Sequence, residues 1–258
     1  MLSNATQPTV ERRSFDDYTN RYPNAVVMPS FRLVGSAPTP KKPIVIVLQS
    51  VIGAGKSTLL EILRVELGQT FKADEIVVIP EPVDIWIKTG ALVDYAKDIK
   101  NTCCEFQMFA FATRIKAVRA AYKANPDARV YIIERDPNAD KIFMKMLEAD
   151  GMADSRRMVR YLLTWDTWTE FWPFEPTHTI FLKPSLDECQ KRVALRARDG
   201  ESIVDREYQS KLLKQHEIFF ATECKTPVLT VEENGDYRVV GSEVRAKLIK
   251  QIREFACL

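Results

Sequence analysis

The sequence is poor in histidine, in net charge and in long apolar runs, and each shortage removes a class of function. Only His178 and His216 occur in 258 residues, so a histidine-based catalytic triad or an imidazole zinc site has almost no material to be built from. The five cysteines (Cys103, Cys104, Cys189, Cys224 and Cys257) are odd in number and lack C-x-x-C or Cys/His metal spacing. They read as reduced thiols of a cytosol-like compartment. Lys plus Arg exceed Asp plus Glu by only 37 to 35, which leaves no global field to hold a polyanion, and nucleic acid is not expected as a partner. No apolar run approaches the roughly 20 residues that span a bilayer, so no membrane partner is expected either.

What is present suits a folded enzyme-sized chain. With 46% hydrophobic and 28% charged residues there is ample core for one large domain or two small ones. Residues 1–43 carry Pro8, Pro23, Pro29, Pro38, Pro40 and Pro43 with no sustained hydrophobic period, and they read as a flexible or loosely packed leader. Arg12, Arg13 and Arg21 suit a mitochondrial transit peptide but Glu11, Asp16 and Asp17 do not, and a cytoplasmic location is the expectation. From 44 to 258 short β-branched runs alternate with long amphipathic segments: IVIVL (44–48), EIVVI (75–79), RVYII (129–133), HTIFL (178–182) and PVLTV (227–231). Strands buried on both faces have this composition, so an α/β fold is expected, with a five-stranded parallel sheet and helices on both faces.

The first strand leads into QSVIGAGKST, and KSTLLEILRVELG then places Leu59, Ile62, Leu63 and Leu67 at helical spacing before Gly68. Strand, glycine-bearing loop and helix in this order predict a phosphate-binding loop. The backbone N–H groups of Gly53, Ala54, Gly55, Lys56, Ser57 and Thr58 would converge on phosphate oxygens, Lys56 would bridge the outer phosphates, and the Ser57 hydroxyl would ligate Mg²⁺. Ser50 stands where such a loop normally opens with glycine. If its φ must be positive, serine costs about 1 to 3 kcal/mol of strain, but Gly53 and Gly55, flanking Ala54, keep the part closest to phosphate free of bulky side chains, so a working loop is expected, with weakened nucleotide affinity. Directly after the second strand comes PEPVDIW, which puts Glu81 at a strand's carboxyl end, where open α/β sheets place their chemistry and where a general base is expected.

These motifs, taken in order, resemble the deoxynucleoside kinase family. Its members carry a G-x-G-K-S/T loop, then E-P-V-x-x-W, a helix with F-Q, E-R-S at a strand end, and an R-x-x-x-R-x-R lid. Here stand GAGKST, EPVDIW, EFQ (105–107), ERD (134–136) and RVALRAR (192–198). The resemblance covers about 43–220 and implies a P-loop nucleoside/nucleotide kinase fold with a helical lid over 44–258, an ATP-dependent 5′-phosphorylation of deoxynucleosides for salvage, Mg²⁺, and a homodimer. It implies that Glu81 takes the 5′-hydroxyl proton, that Arg135 holds that carboxylate and the transferring group, and that Glu134 orients Mg²⁺ beside Ser57. Arg192, Arg196 and Arg198 would close on the ATP phosphates.

The resemblance also assigns a substrate pocket. Gln107, Ala110 and Arg114 share one helical face. An amide with a donor and an acceptor suits a base edge, and Gln107 reads the base in the family. Arg114 with Asp140 marks deoxycytidine and purine kinases, whereas thymidine-accepting members have apolar residues there. Deoxycytidine or purine deoxynucleosides are therefore expected over thymidine. Ile52, Trp86, Phe111 and Phe143 complete the nucleoside site, with Tyr95 and Glu201 at the sugar 3′-hydroxyl. Phe143 and Tyr95 each fall one residue out of the family register, and Glu201 matches without a gap. The family's loop opens E-G-N where this chain has Gln49, Ser50 and Val51, and its E-R-S becomes Glu134, Arg135 and Asp136. Trp165, Trp168 and Trp172 read as a core stripe or dimer-helix face, and His216 as structural. Thymidylate kinase is an alternative, although R-E-P-G-G is replaced by PEPVDIW and D-R by Glu134 and Arg135. A non-catalytic kinase-fold scaffold is a second one, kept open by Ser50.

Overall fold

The computed structural model describes residues 42–232 and 235–258; of the expected leader only Lys42 and Pro43 are among them. The described elements are β1 (Ile44–Gln49), α1 (Lys56–Leu67), β2 (Ile76–Ile79), α2 (Val83–Lys88), α3 (Ala91–Lys97), α4 (Ile99–Ala124), β3 (Val130–Glu134), α5 (Pro137–Ala149), α6 (Ser155–Thr169), β4 (His178–Leu182), α7 (Leu186–Arg196), α8 (Arg206–Thr222), β5 (Val228–Val231) and α9 (Glu243–Ala256). All five strands expected from the sequence form, and they pair in parallel in the order β2-β3-β1-β4-β5.

The apolar runs lack alternation because both faces of the sheet are covered. Ile46 and Leu48 of β1 pack with Val130 and Ile132 of β3 in one core cluster. Val45 packs with Tyr131, Ile133 and Phe174 in another. In α1, Leu59, Leu60, Leu63 and Leu67 are all buried, each contributing about 1.5 to 3 kcal/mol of hydrophobic stabilisation. The helix stops at Gly68, whose N–H reaches Arg64 O.

The site follows from the topology. The chain builds β2 and β3 on one side of β1, then β4 and β5 on the other. β1 is therefore the point where the strand order reverses, and a crevice opens beyond its carboxyl end. Helix starts mark the same place. Asp98, Asp136, Asp154, Ser185, Asp205 and Ser242 cap α4, α5, α6, α7, α8 and α9 with side-chain acceptors. The starts of α1, α2 and α3 have no capping side chain, but α2 and α3 carry Asp84 and Asp94 in their first turns, whereas α1, with Gly55 at its N-cap, has no acid there, so its N–H groups are left for an anion. The tryptophan stripe does not run along one helix, because α6 ends at Thr169. Trp165 is half-buried against Phe111 and donates to Pro137 O at 2.8 Å, Trp168 is exposed, and Trp172 packs on the second cluster. His216 is fully buried in α8, with Nδ1 2.9 Å from Leu212 O, and burial pushes its pKa down to about 3.

Candidate active site

The phosphate loop turns on two glycines. Gly53 and Gly55 have φ of 81° and 99°, and a Cβ at Gly53 would lie 2.6 Å from Cys189 O, while one at Gly55 would collide with the Tyr237 hydroxyl. Ser50 is different. Positive φ among non-glycine residues is confined to Arg135, Ala197 and Cys257 within the described chain, so Ser50 carries none of the strain its position suggested. Its buried hydroxyl instead accepts from Lys56 Nζ at 3.0 Å and donates to Val51 O at 2.8 Å. Lys56 Nζ also reaches Val51 O at 3.3 Å. Burial, followed by the positive charge of Arg135, lowers the Lys56 pKa to about 7.

The other departures from the family motifs meet each other. Gln49 Nε2 donates to Asp136 Oδ1 at 2.7 Å in the interior. Asp136 also caps α5, accepting from Asn138 N at 3.1 Å and Asn138 Nδ2 at 2.8 Å. An amide and a carboxylate are complementary partners, so the two changes are compatible as a pair.

Glu81 follows β2 and lies between two guanidinium groups. Arg135 Nη1 is 2.9 and 2.8 Å from its two oxygens, and Arg114 Nη2 is 2.9 Å from Oε1. Burial by itself would raise this carboxyl, but Arg135 and then Arg114 outweigh it and hold the pKa at about 2. Arg135 reaches this position from a left-handed backbone, φ 62°, an arrangement that costs about 1 to 3 kcal/mol and is typical of functional sites. Its Nη2 also donates to Ser50 O at 3.1 Å. Arg114 pairs side-on with Asp140 through two bonds of 3.1 Å and reaches Glu134 O at 3.3 Å. At the foot of the loop the Ser57 hydroxyl is 3.0 Å from Glu134 Oε1.

These groups line one cavity of about 840 Å³ that contains Ile52, Gly53, Gly55, Lys56, Ser57, Thr58, Glu81, Trp86, Tyr95, Gln107, Ala110, Arg114, Glu134, Arg135, Asp140, Phe143, Arg192, Arg196, Arg198 and Glu201. The two residues out of register are among them: Phe143 lies under the Arg135 guanidinium, 5.1 Å from its ring centre, and Tyr95 bonds the Tyr208 hydroxyl at 3.2 Å. Two expected site residues do not line the cavity. Phe111, on the side of the same face away from Ala110, is instead buried against Trp165 inside the protein. Ala54 is buried and offers its carbonyl to Arg192 Nη1 at 3.0 Å. Gln107 is buried, lines the cavity and makes no side-chain hydrogen bond to a described residue.

The lid arginines are anchored to carboxylates. Arg192 bonds Glu188 at 2.9 Å, Arg196 holds Glu201 at 2.6 and 3.1 Å, and Arg198 reaches Glu201 at 3.2 Å. Arg196 ends α7, Ala197 turns the chain at φ 46°, and Arg198 follows. Tyr208 and Tyr237 also line the cavity and were not foreseen. Tyr237 is brought over the loop, its hydroxyl 3.1 Å from Gly55 O, from 182 positions along the chain.

The deoxynucleoside kinase family model matches residues 46–257. Curated relatives include a probable deoxycytidine kinase of fowlpox virus, 32% identical over 213 residues covering 81% of this chain and 86% of the viral one. A deoxyadenosine kinase of Lactobacillus acidophilus is 28% identical over 221 residues (81% and 95%), and the deoxycytidine kinase of Rattus norvegicus is 25% identical over 243 residues (81% and 89%). With the family match running from β1 to α9, over the whole sheet and every residue of the cavity, the chain belongs to the deoxynucleoside kinase family.

Proposed function

We propose that this phosphotransferase uses ATP and Mg²⁺ to phosphorylate the 5′-hydroxyl of deoxycytidine or a purine deoxynucleoside in preference to thymidine, as a salvage enzyme. One observation carries the reading: a buried carboxylate, Glu81, is fixed by Arg135 and Arg114 in the same cavity as the uncapped start of α1 and Lys56. A carboxylate held at about 2 stays ionised throughout the neutral range. It is a weak base, and it accepts the hydroxyl proton late, when bonding to phosphorus has already made the attacking oxygen acidic. Arg135 keeps Glu81 in place and offers positive charge to the transferring group, and Arg192, Arg196 and Arg198 supply more as they exchange their carboxylate partners for phosphate.

The residues at the foot of the loop suit Mg²⁺. Ser57 and Glu134 put a hydroxyl and a carboxylate oxygen 3.0 Å apart, and this ion characteristically takes one or two protein oxygens beside phosphate and water. When bound it neutralises charge on the phosphates; the protein's part is to hold the two oxygens together. Base preference is supported by Gln107, which lines the cavity with donor and acceptor uncommitted, and by the Arg114–Asp140 pair, which fills the wall with charged groups where a methyl group would need apolar ones. The names of the deoxycytidine and deoxyadenosine kinase relatives agree with it.

A homodimer is part of the same proposal, supported by large exposed apolar side chains at Val159 and Trp168 of α6 and at Phe171, and so is a cytoplasmic location, supported by five free cysteines. The direct test follows ADP release from Mg·ATP with each of the four natural deoxynucleosides and with thymidylate. ADP with deoxycytidine or a purine deoxynucleoside is the expected outcome. ADP with thymidylate alone would move the assignment to monophosphate kinases, and silence throughout would leave a binding or scaffold role.

A further inference from the structure

We infer that Gln209 is a positioning residue for the phosphate loop, gripping Ile52 by both of its backbone groups. Gln209 lies in the first turn of α8 and is fully buried. Its Oε1 accepts from Ile52 N at 3.1 Å, and its Nε2 donates to Ile52 O at 2.5 Å. A side-chain amide thus takes the place of a neighbouring strand, pairing the N–H and C=O of a residue that has left β1 and has not yet entered a helix.

The loop has a physical need for such a grip. Gly53 and Gly55 both adopt left-handed backbone, and a loop built on two glycines has little stiffness of its own. Its entry is held at Gln49 by Asp136 and at the Ser50 carbonyl by Arg135. Its exit is held by α1. Ile52, between them, has Gln209. The neighbouring residue, Tyr208, reaches into the cavity and bonds Tyr95 at 3.2 Å. One turn of α8 therefore fixes both the phosphate loop and the wall bearing Tyr95. Displacements of about 1 Å in such a frame are expensive in catalysis.

This inference rests on the proposal that ATP and a deoxynucleoside occupy the cavity, and its test separates the two. Hydrogen exchange at the Ile52 amide in the ligand-free protein reads the grip without any substrate. The wild type, Gln209→Leu, Gln209→Met and Gln209→Glu are then compared for kcat and for the KM of ATP and of deoxycytidine or deoxyadenosine. Gln209→Leu and Gln209→Met should lose Ile52 protection and raise the KM for ATP by about three- to tenfold, the value of one or two net hydrogen bonds, with a smaller change in kcat. Gln209→Glu should carry a pH signature that lost packing would not. Protonated, it offers the same acceptor and donor as glutamine; ionised, it repels Ile52 O, so its KM for ATP relative to wild type should rise with pH. Unchanged Ile52 exchange, or unchanged KM in the Leu and Met variants, overturns the inference. Should the Leu variant fail to fold by circular dichroism, the Met and Glu variants decide. A wild type inactive on every deoxynucleoside overturns the proposed function instead, and the exchange data still judge the grip.

Discussion

Nucleotide binding should draw a proton onto Lys56. In the ligand-free protein Nζ is buried beside Arg135 and hydrogen-bonds Ser50 Oγ and Val51 O, while the carboxylates of Glu134 and Glu81 oppose the shift without cancelling it. Burial and that neighbouring charge favour the neutral amine, and the pKa is pushed down to about 7. A polyphosphate at the start of α1 reverses the balance and returns the group toward the ordinary lysine range, near 10. At pH 8 a group with a pKa of about 7 is about one-tenth protonated, so binding should take up about 0.9 proton per nucleotide; at pH 6 the uptake should fall to about 0.1. The sign follows: the bound state holds the extra proton, so affinity is greatest below about pH 7 and weakens by about tenfold per pH unit above pH 8, until Lys56 titrates in the complex. Calorimetric titration of Mg·ADP and Mg·ATP in buffers of different ionisation enthalpy gives the proton count directly, with pH 8 chosen because the phosphates are already ionised. Lys56→Met should abolish the uptake. A wild-type uptake near zero at pH 8 would show that Lys56 is already charged in the free protein and would refute the reasoning from burial.

Glu81→Gln should lower kcat by about two to four orders of magnitude while binding of both substrates persists, and unchanged turnover would remove Glu81 from the chemistry. Glu81→Ala should in addition lower the thermal midpoint, because it strips one partner from two buried guanidinium groups, a change worth about 3 to 5 kcal/mol. Arg114→Met combined with Asp140→Ala should raise thymidine use relative to deoxycytidine and deoxyadenosine in competition assays; an unaltered ratio would mean that the pair is structural and does not read the base. Sedimentation equilibrium should give twice the chain mass for the wild type, and Trp168→Glu should shift it toward the monomer. A monomeric wild type would contradict the homodimer.

Much of this protein was written in its sequence. The five strands were legible because residues buried on both sheet faces must be apolar in succession, as in Ile44–Gln49 and Val130–Glu134. The phosphate loop was legible because two glycines, a lysine and a serine must follow a strand at fixed spacing for backbone N–H groups to meet phosphate. Glu81, Arg114, Glu134, Arg135 and the lid arginines could be read from family motifs, in which short local patterns carry the chemistry. Tertiary structure decided the rest. It kept Ser50 out of the left-handed region and made it the acceptor for Lys56, where the pattern alone suggested strain and a weakened site. It turned Phe111 into the core while its neighbour Ala110 lines the cavity, and it brought Tyr95 and Phe143 to the cavity although both stand one residue out of register. It also paired Gln49 with Asp136 across 87 positions and Gln209 with Ile52 across 157. Partners so far apart in the chain leave no spacing to read. Their meeting is fixed only when helices pack against the sheet, because a buried amide or carboxylate must find whichever polar group the fold sets beside it.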